Sequence, residues 1–213
     1  MVQFGAPELF KNDHILRFEQ LEYANKRFKI IAITKNDEVK DKVDEHTKLF
    51  IKGHGNDKEL ISCFRDLLFN SRELLDSLLF YINKSNKNNT SKSFLPFAKA
   101  LMNGQYDKYN LPILNFLKVN ITYIFHIRKF RNEIKNKISN IQFVLVTNKI
   151  VARFELPITK DEIELIPFLD IKNKDQALAR GSYYCQLTLN EYFPEIIQFW
   201  KTVFEIMKQT QIT

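Results

Sequence analysis

From Leu60 the chain repeats its apolar positions at three, four and seven residues: Leu60, Phe64, Leu67, Leu74, Leu78 and Ile82, with Ile61, Leu68, Leu75 and Leu79 beside them. That period belongs to one face of an α-helix and predicts a long amphipathic helix over 58–83. "KGHGND", 52–57, breaks the chain ahead of it and offers Asn56 or Asp57 as a cap. The polar run "NKSNKNNTSKS", 83–93, predicts a loop with a flexible tip. "FLPFAKALMNG" then reads as a short helix stopped by Gly104. A second long helix follows through "YNLPILNFLKVNITYIFHIRKFRNEIKNKISN", with Asn110 as its cap, Pro112 in its first turn and an end near Asn140.

Beyond that helix the period shifts to two. "IQFVLVT" and "IVARFELP" predict two strands joined by a hairpin turn at Asn148-Lys149, and "SYYCQLTL" a third strand. "NEYFPEIIQFWKTVFEIM" predicts a closing amphipathic helix with Phe193, Ile197, Trp200, Phe204 and Met207 on one face. The first 57 residues carry weaker patterns. "ILRFEQLEYANKR" reads as a short helix, "RFKIIAIT" (27–34) alternates and branches like a strand, and "NDEVKDKVDEHTKLF" would make only a solvated helix. The expectation is one domain, 1–213, of the α+β class and mainly helical. A helical core (58–140) is followed by a small antiparallel sheet and a terminal helix (141–213), and there is no internal repeat.

Composition fits a packed core: 45% of the 213 residues are hydrophobic, with 19 Phe, 8 Tyr, and only 5 Gly and 6 Pro. The formal charge of +7 points to an anionic partner, although the 25 acidic residues are interspersed with the basic ones. Cys63 and Cys185 stand alone, in a predicted helix and a predicted strand, which suits a reducing compartment. The first residues lack the basic and apolar regions of a signal peptide, and no apolar run reaches the ~18 residues of a membrane span. These features predict a cytoplasmic protein with no membrane association. None of the phosphate-loop, dinucleotide, zinc-protease or nucleophile-elbow motifs occurs, and "DEVKDKVDE" lacks calcium-loop spacing. Neither a metal nor a cofactor is expected.

One stretch departs from ordinary patterning. At 100° per residue, Arg128, Arg131 and Lys135 continue the apolar stripe of Ile113, Leu117, Ile121 and Ile124, all within about 80° of Ile113. Asn132 lies at the edge of the stripe and Asn136 further out. Asn115, Lys118, Thr122, His126, Lys129 and Glu133 form the opposite side, which reads as a solvated face, with His126 a surface histidine. A guanidinium cannot shed its charge, so on an inward stripe it requires a carboxylate, several carbonyls or an anionic ligand. Two bland outcomes compete with a site. Either the helix overshoots the core and its last turns are solvated, or Arg131 pairs with Asp66, Glu73 or Asp76 on the preceding long helix.

The two antiparallel helices with an intervening loop and short helix, the second ending in "RNEIKN" (131–136), resemble the HEPN family over residues 60–140. The resemblance implies a helical bundle, a homodimer, and metal-independent RNA cleavage in bacterial defence and toxin–antitoxin systems. The family motif is Arg, a polar residue, three to five further positions, then His. Arg131 and Asn132 match its start, and Asn136 stands at the nearest permitted place for the histidine. None of the four histidines (His14, His46, His54, His126) follows an arginine at that spacing. An amide can orient a phosphate but cannot shuttle a proton at neutral pH, whereas imidazole can. The resemblance therefore implies RNA or nucleotide binding at Arg128, Arg131, Asn132, Lys135 and Asn136, with catalytic residues unknown and His126 the nearest displaced histidine. The alternative is a non-enzymatic module that dimerises or holds a protein partner, with Arg131 in a structural ion pair. An active endoribonuclease ranks behind both.

Overall fold

Phe18, Leu21, Ala24, Phe28, Ile31 and Ala32 are buried at helical spacing, and they hold the N-terminal segment as a helix, α1 (Asn12–Val39), against the rest of the molecule. The computed structural model describes residues 12–39, 49–50, 57–87, 89–109, 111–136 and 141–210. The strand expected at 27–34 is thus part of α1. Ile30 and Ile33 made the segment look alternating, but they are 66% and 63% exposed, while Phe28, Ile31 and Ala32 carry the burial. Of the solvated helix expected at 36–50, residues 36–39 belong to α1, 40–48 lie outside the described residues, and Leu49 and Phe50 form a strand instead, paired with Leu145 and Val144.

A two-residue strand, β1 (Leu49–Phe50), precedes α2 (Lys58–Ser85). Asp57 caps α2 by accepting a hydrogen bond from the Leu60 amide at 3.0 Å. The other carboxylate oxygen of Asp57 meets Lys35 Nζ at 3.0 Å in a buried pair that ties α1 to the start of α2. After α2 the polar run is anchored. Asn83, Asn86 and Thr90 are buried, and Asn83 Oδ1 accepts from the Thr90 amide at 3.1 Å, so the described part of this loop is no free tip. α3 (Phe94–Met102) ends before Gly104, whose φ of +74° suits a residue without Cβ.

The second long helix is two: α4 (Pro112–Val119) and α5 (Ile121–Asn136). Asn120 interrupts it. Its side-chain amide and its backbone N–H both donate to the Phe116 carbonyl, at 2.8 and 3.1 Å. Leu111 stands at the cap position, and Asn110 and 137–140 lie outside the described residues.

The strands form an antiparallel sheet in the order β1-β2-β3-β4, with β2 (Gln142–Val146), β3 (Lys149–Pro157) and β4 (Ser182–Thr188). Val146 pairs with Lys149, so the hairpin turn is Thr147-Asn148, one residue earlier than expected. Both turn residues are left-handed, φ +46° and +61°, as a type I′ turn requires, and Asn148 suits that conformation. A 3-10 helix (Lys160–Phe168) and α6 (Lys174–Arg180) connect β3 to β4, and α7 (Leu189–Thr210) closes the chain.

Phe64 of α2 lies at the centre of the core. Its ring lies 6.4 Å from Phe130 of α5, 5.8 Å from Phe154 of β3, and 6.2 Å from both Tyr192 and Phe193 of α7. Phe28 of α1 stacks on Phe193 at 4.3 Å, and buried Trp200 donates to Ser71 Oγ at 3.2 Å. Sheet and helices therefore share one continuous hydrophobic cluster. No described helix is long and apolar enough to cross a membrane.

Candidate functional site

Three guanidiniums converge where α5 crosses α2. Arg72 of α2 contacts Asp76 one turn on, and Arg128 Nη1 of α5 lies 3.8 Å from the same Asp76 oxygen. That separation is an ion pair but exceeds hydrogen-bond length, and the buried Nη1 of Arg128 has no acceptor. The Arg128 guanidinium lies 4.7 Å from the Phe94 ring centre, and that of Arg131 lies 4.6 Å over Phe69. Arg131 Nη1 donates to Asn132 Oδ1 at 3.3 Å, and its buried Nε has no acceptor.

Burial, reinforced by Arg128 and Arg131 and opposed by the field of Glu73, pushes Arg72 down to about 10. Burial likewise pushes Arg128 down to about 10; the field of Glu162 opposes this and Arg131 adds to it. Both remain protonated near neutral pH, and the two share Asp76. Arg131 makes no ion pair with Asp66, Glu73 or Asp76; Asp66 pairs instead with Arg27 of α1 at 3.0 Å. Asn132 and Lys135 are exposed beside the cluster, and Asn136 closes the described part of α5. Arg72 was not among the sequence-predicted residues. Its signal was its spacing of four from Asp76, on the helix that α5 must pack against.

Asp76 also lines a groove of about 420 Å³ with His14, Glu73, Phe80, Tyr81 and Lys84. Of the described histidines, His14 rather than His126 shares a groove with the Asp76 of the arginine cluster.

The face of α5 expected to be wet is buried. Lys129 and Glu133 are 6% and 8% exposed. Lys129 Nζ donates to Glu162 Oε2 at 2.8 Å and to the Pro157 carbonyl at 2.5 Å. Glu162 Oε2 in turn accepts from the Thr159 amide at 2.9 Å, so one carboxylate caps the 3-10 helix and holds α5. His126 is recessed, not a surface residue: its ring stacks on Phe130 at 5.2 Å and on Tyr183 at 6.0 Å. The connection from β3 to β4 covers this side, and the sequence did not reveal that long-range contact.

His126 and Tyr183 line a cleft of about 510 Å³ between α5, α6, β4 and the turn before α6. Burial pushes the His126 imidazole down to about 4, so it is neutral near pH 7. Burial raises the Tyr183 hydroxyl too, keeping it protonated. Cys185 opens on the same cleft with its thiol raised to about 11 by burial, which makes it a poor nucleophile. Among the described residues no cluster of His, Cys, Asp or Glu could hold a metal ion. Comparison with family models, with curated proteins and with solved structures finds no match to this chain.

Proposed function

We propose that the edge formed by Arg72, Arg128 and Arg131 binds the phosphates of RNA or a nucleotide, with Asn132, Lys135 and Asn136 extending the contact. The observation that carries this reading is the convergence of three guanidiniums, two of them sharing Asp76, with acceptor-less N–H groups on Arg128 and Arg131; Glu73 and Glu162 act on Arg72 and Arg128 only through their fields. An anion there would relieve the mutual repulsion and supply the missing acceptors. The HEPN resemblance of 131–136 agrees with such a role, and with it the expectation of a defence or toxin–antitoxin setting. The amide at Asn136 favours binding without cleavage.

A short single-stranded RNA tests this by fluorescence anisotropy. Affinity should fall steeply with salt as counterions are released, and Arg131→Ala should reduce the salt slope by about one. Because Arg131 has no ion pair to lose, the same substitution should cost folding only about 0.5–2 kcal/mol, the worth of a partly desolvated cation–π contact. The RNA should be recovered intact. No binding at low salt, or a large stability loss with unchanged binding, removes the reading.

A second reading, a module that pairs with another copy of itself, has its own support. Leu16, Tyr23 and Ile30 recur every seven residues on α1 and are 53%, 58% and 66% exposed, with Ile33 beside them. An antiparallel pairing centred on Tyr23 sets Leu16 opposite Ile30 of the second copy and Glu19 opposite Arg27, so apolar and charged positions match together. Light scattering at tens of micromolar should return twice the 25.3 kDa chain mass, and Ile30→Glu should return a monomer. A monomeric wild type ends this second reading.

A further inference from the structure

We propose that the free edge of β4 takes an extended acidic peptide of another protein as a fifth strand of the sheet. β4 ends the strand order and pairs only with β3. Hydrogen-bonded and non-hydrogen-bonded pairs alternate along an antiparallel ladder. Ile158 donates to the Gly181 carbonyl at 2.7 Å, so through the unbroken register Tyr183 and Cys185 are the residues that bond to β3. The N–H and C=O groups of Tyr184 and Gln186 therefore point away from the sheet, and none of the described residues bonds to them. The cleft of about 510 Å³ beside α6 touches all the residues from Ser182 to Gln186. Successive side chains of a strand lie on opposite faces, so a cleft that meets consecutive residues runs along the strand's edge. At ~3.4 Å per residue it follows that edge for roughly 14 Å, the length of a short added strand.

Edge strands are ordinarily guarded by a charge, a proline or a bulge. β4, "SYYCQLT", has no charged residue, no proline and, in its register with β3, no bulge, so its edge is open to pairing. The rest of the cleft selects what pairs there. Buried Ile171 and Ala177 give it an apolar side for every second side chain of an added strand. Lys172 and Arg180 are exposed on it without an ion pair among the described residues, against the single carboxylate of Asp170. Acidic residues at the intervening positions answer those cations. A second copy of β4 would bring no carboxylate to them, and a small anion would leave the backbone groups unpaired.

Amide hydrogen exchange followed by NMR on the full chain tests the assignment. In the free protein the amides of Tyr184 and Gln186 should exchange fast and those of Tyr183 and Cys185 slowly. Adding the peptide Glu-Val-Glu-Val-Glu-Val-Glu should protect the first pair. Its Lys-Val counterpart should bind more weakly at low salt, and Lys172→Glu combined with Arg180→Glu should reverse that preference. Gln186→Pro should weaken binding roughly 10-fold or more, as loss of a hydrogen bond that leaves its partner unanswered does. Its melting temperature should stay near that of wild type, because proline is tolerated where an edge N–H faces outward. The same peptide N-methylated at every amide should not bind wild type, which tests the hydrogen bonding without altering the protein. Arg131→Ala should have no effect, which separates this edge from the RNA-binding reading. The proposal is overturned if the peptide does not bind at millimolar concentration, or if its N-methylated form binds as well. It is overturned equally if Tyr184 and Gln186 are already protected in the free protein; protection that fades on dilution would give the edge to a second copy instead.

Discussion

Lys129→Ala should destabilise the protein by about 3–5 kcal/mol, the range seen when one partner of a buried ion pair is removed. Lys129 and Glu162 keep only 8% and 10% of their side-chain surface exposed, and their 2.8 Å contact joins α5 to the connection between β3 and β4. Without the ammonium, the Glu162 carboxylate stays buried, still bound to the Thr159 amide but with its charge unmatched. The Pro157 carbonyl loses its donor as well. Lys129→Met combined with Glu162→Gln should recover most of the loss, because it removes both charges while the Gln side-chain oxygen can still cap Thr159. Lys135→Ala, one and a half turns along the same helix but exposed, should stay within about 0.5 kcal/mol of wild type. Urea denaturation of the four proteins decides the matter. If Lys129→Ala behaves like Lys135→Ala, the C-terminal layer does not cover α5 as described.

The same pair shows what could be read from the chain and what could not. α2 and α7 were legible because each buries one stripe of large residues at helical spacing, so pattern and burial coincide. α1 was not, for the opposite reason. Its inner face relies on small Ala24 and Ala32 between Phe18, Leu21 and Phe28, while Leu16, Ile30 and Ile33 stand exposed, so apolar residues fall on two faces and blur the period. On α5 the inward arginines were visible from the stripe they share with Ile113 to Ile124. Their partners were not. Asp76 proved common to Arg72 and Arg128, and Arg131 found an aromatic ring, because which residues of α2 meet α5 is set by tertiary packing. The polar side of α5 misled for a similar reason. Lys129 and Glu133 have the composition of a wet face, and only a layer arriving from more than thirty residues downstream, carrying Glu162, makes them interior. His126, read as a surface group, became recessed by that covering.

That recessed histidine should make the fold acid-sensitive. In the folded chain burial holds its imidazole at about 4, against an ordinary value of 6.5; Asp170 opposes the shift and Lys129 adds to it. Between those values the unfolded chain binds a proton that the folded chain refuses. Stability from this group is therefore complete above about pH 6.5 and is lost as pH falls toward 4, by about 3 kcal/mol across the window. Carboxylates titrate in the same range, so the comparison must cancel them. His126→Phe does so: it keeps a ring to stack on Phe130 and Tyr183 and removes only the proton site. Near pH 7 the two proteins should differ by about 1 kcal/mol or less, since His126 Nε2 has no partner to lose. Near pH 4 the variant should be the more stable by about 3 kcal/mol in urea denaturation. The His126 ring protons of the wild type should show no NMR titration between about pH 8 and pH 5. A histidine that titrates near 6.5, or parallel acid slopes for the two proteins, would mean that water reaches the imidazole freely and that burial does not hold it neutral.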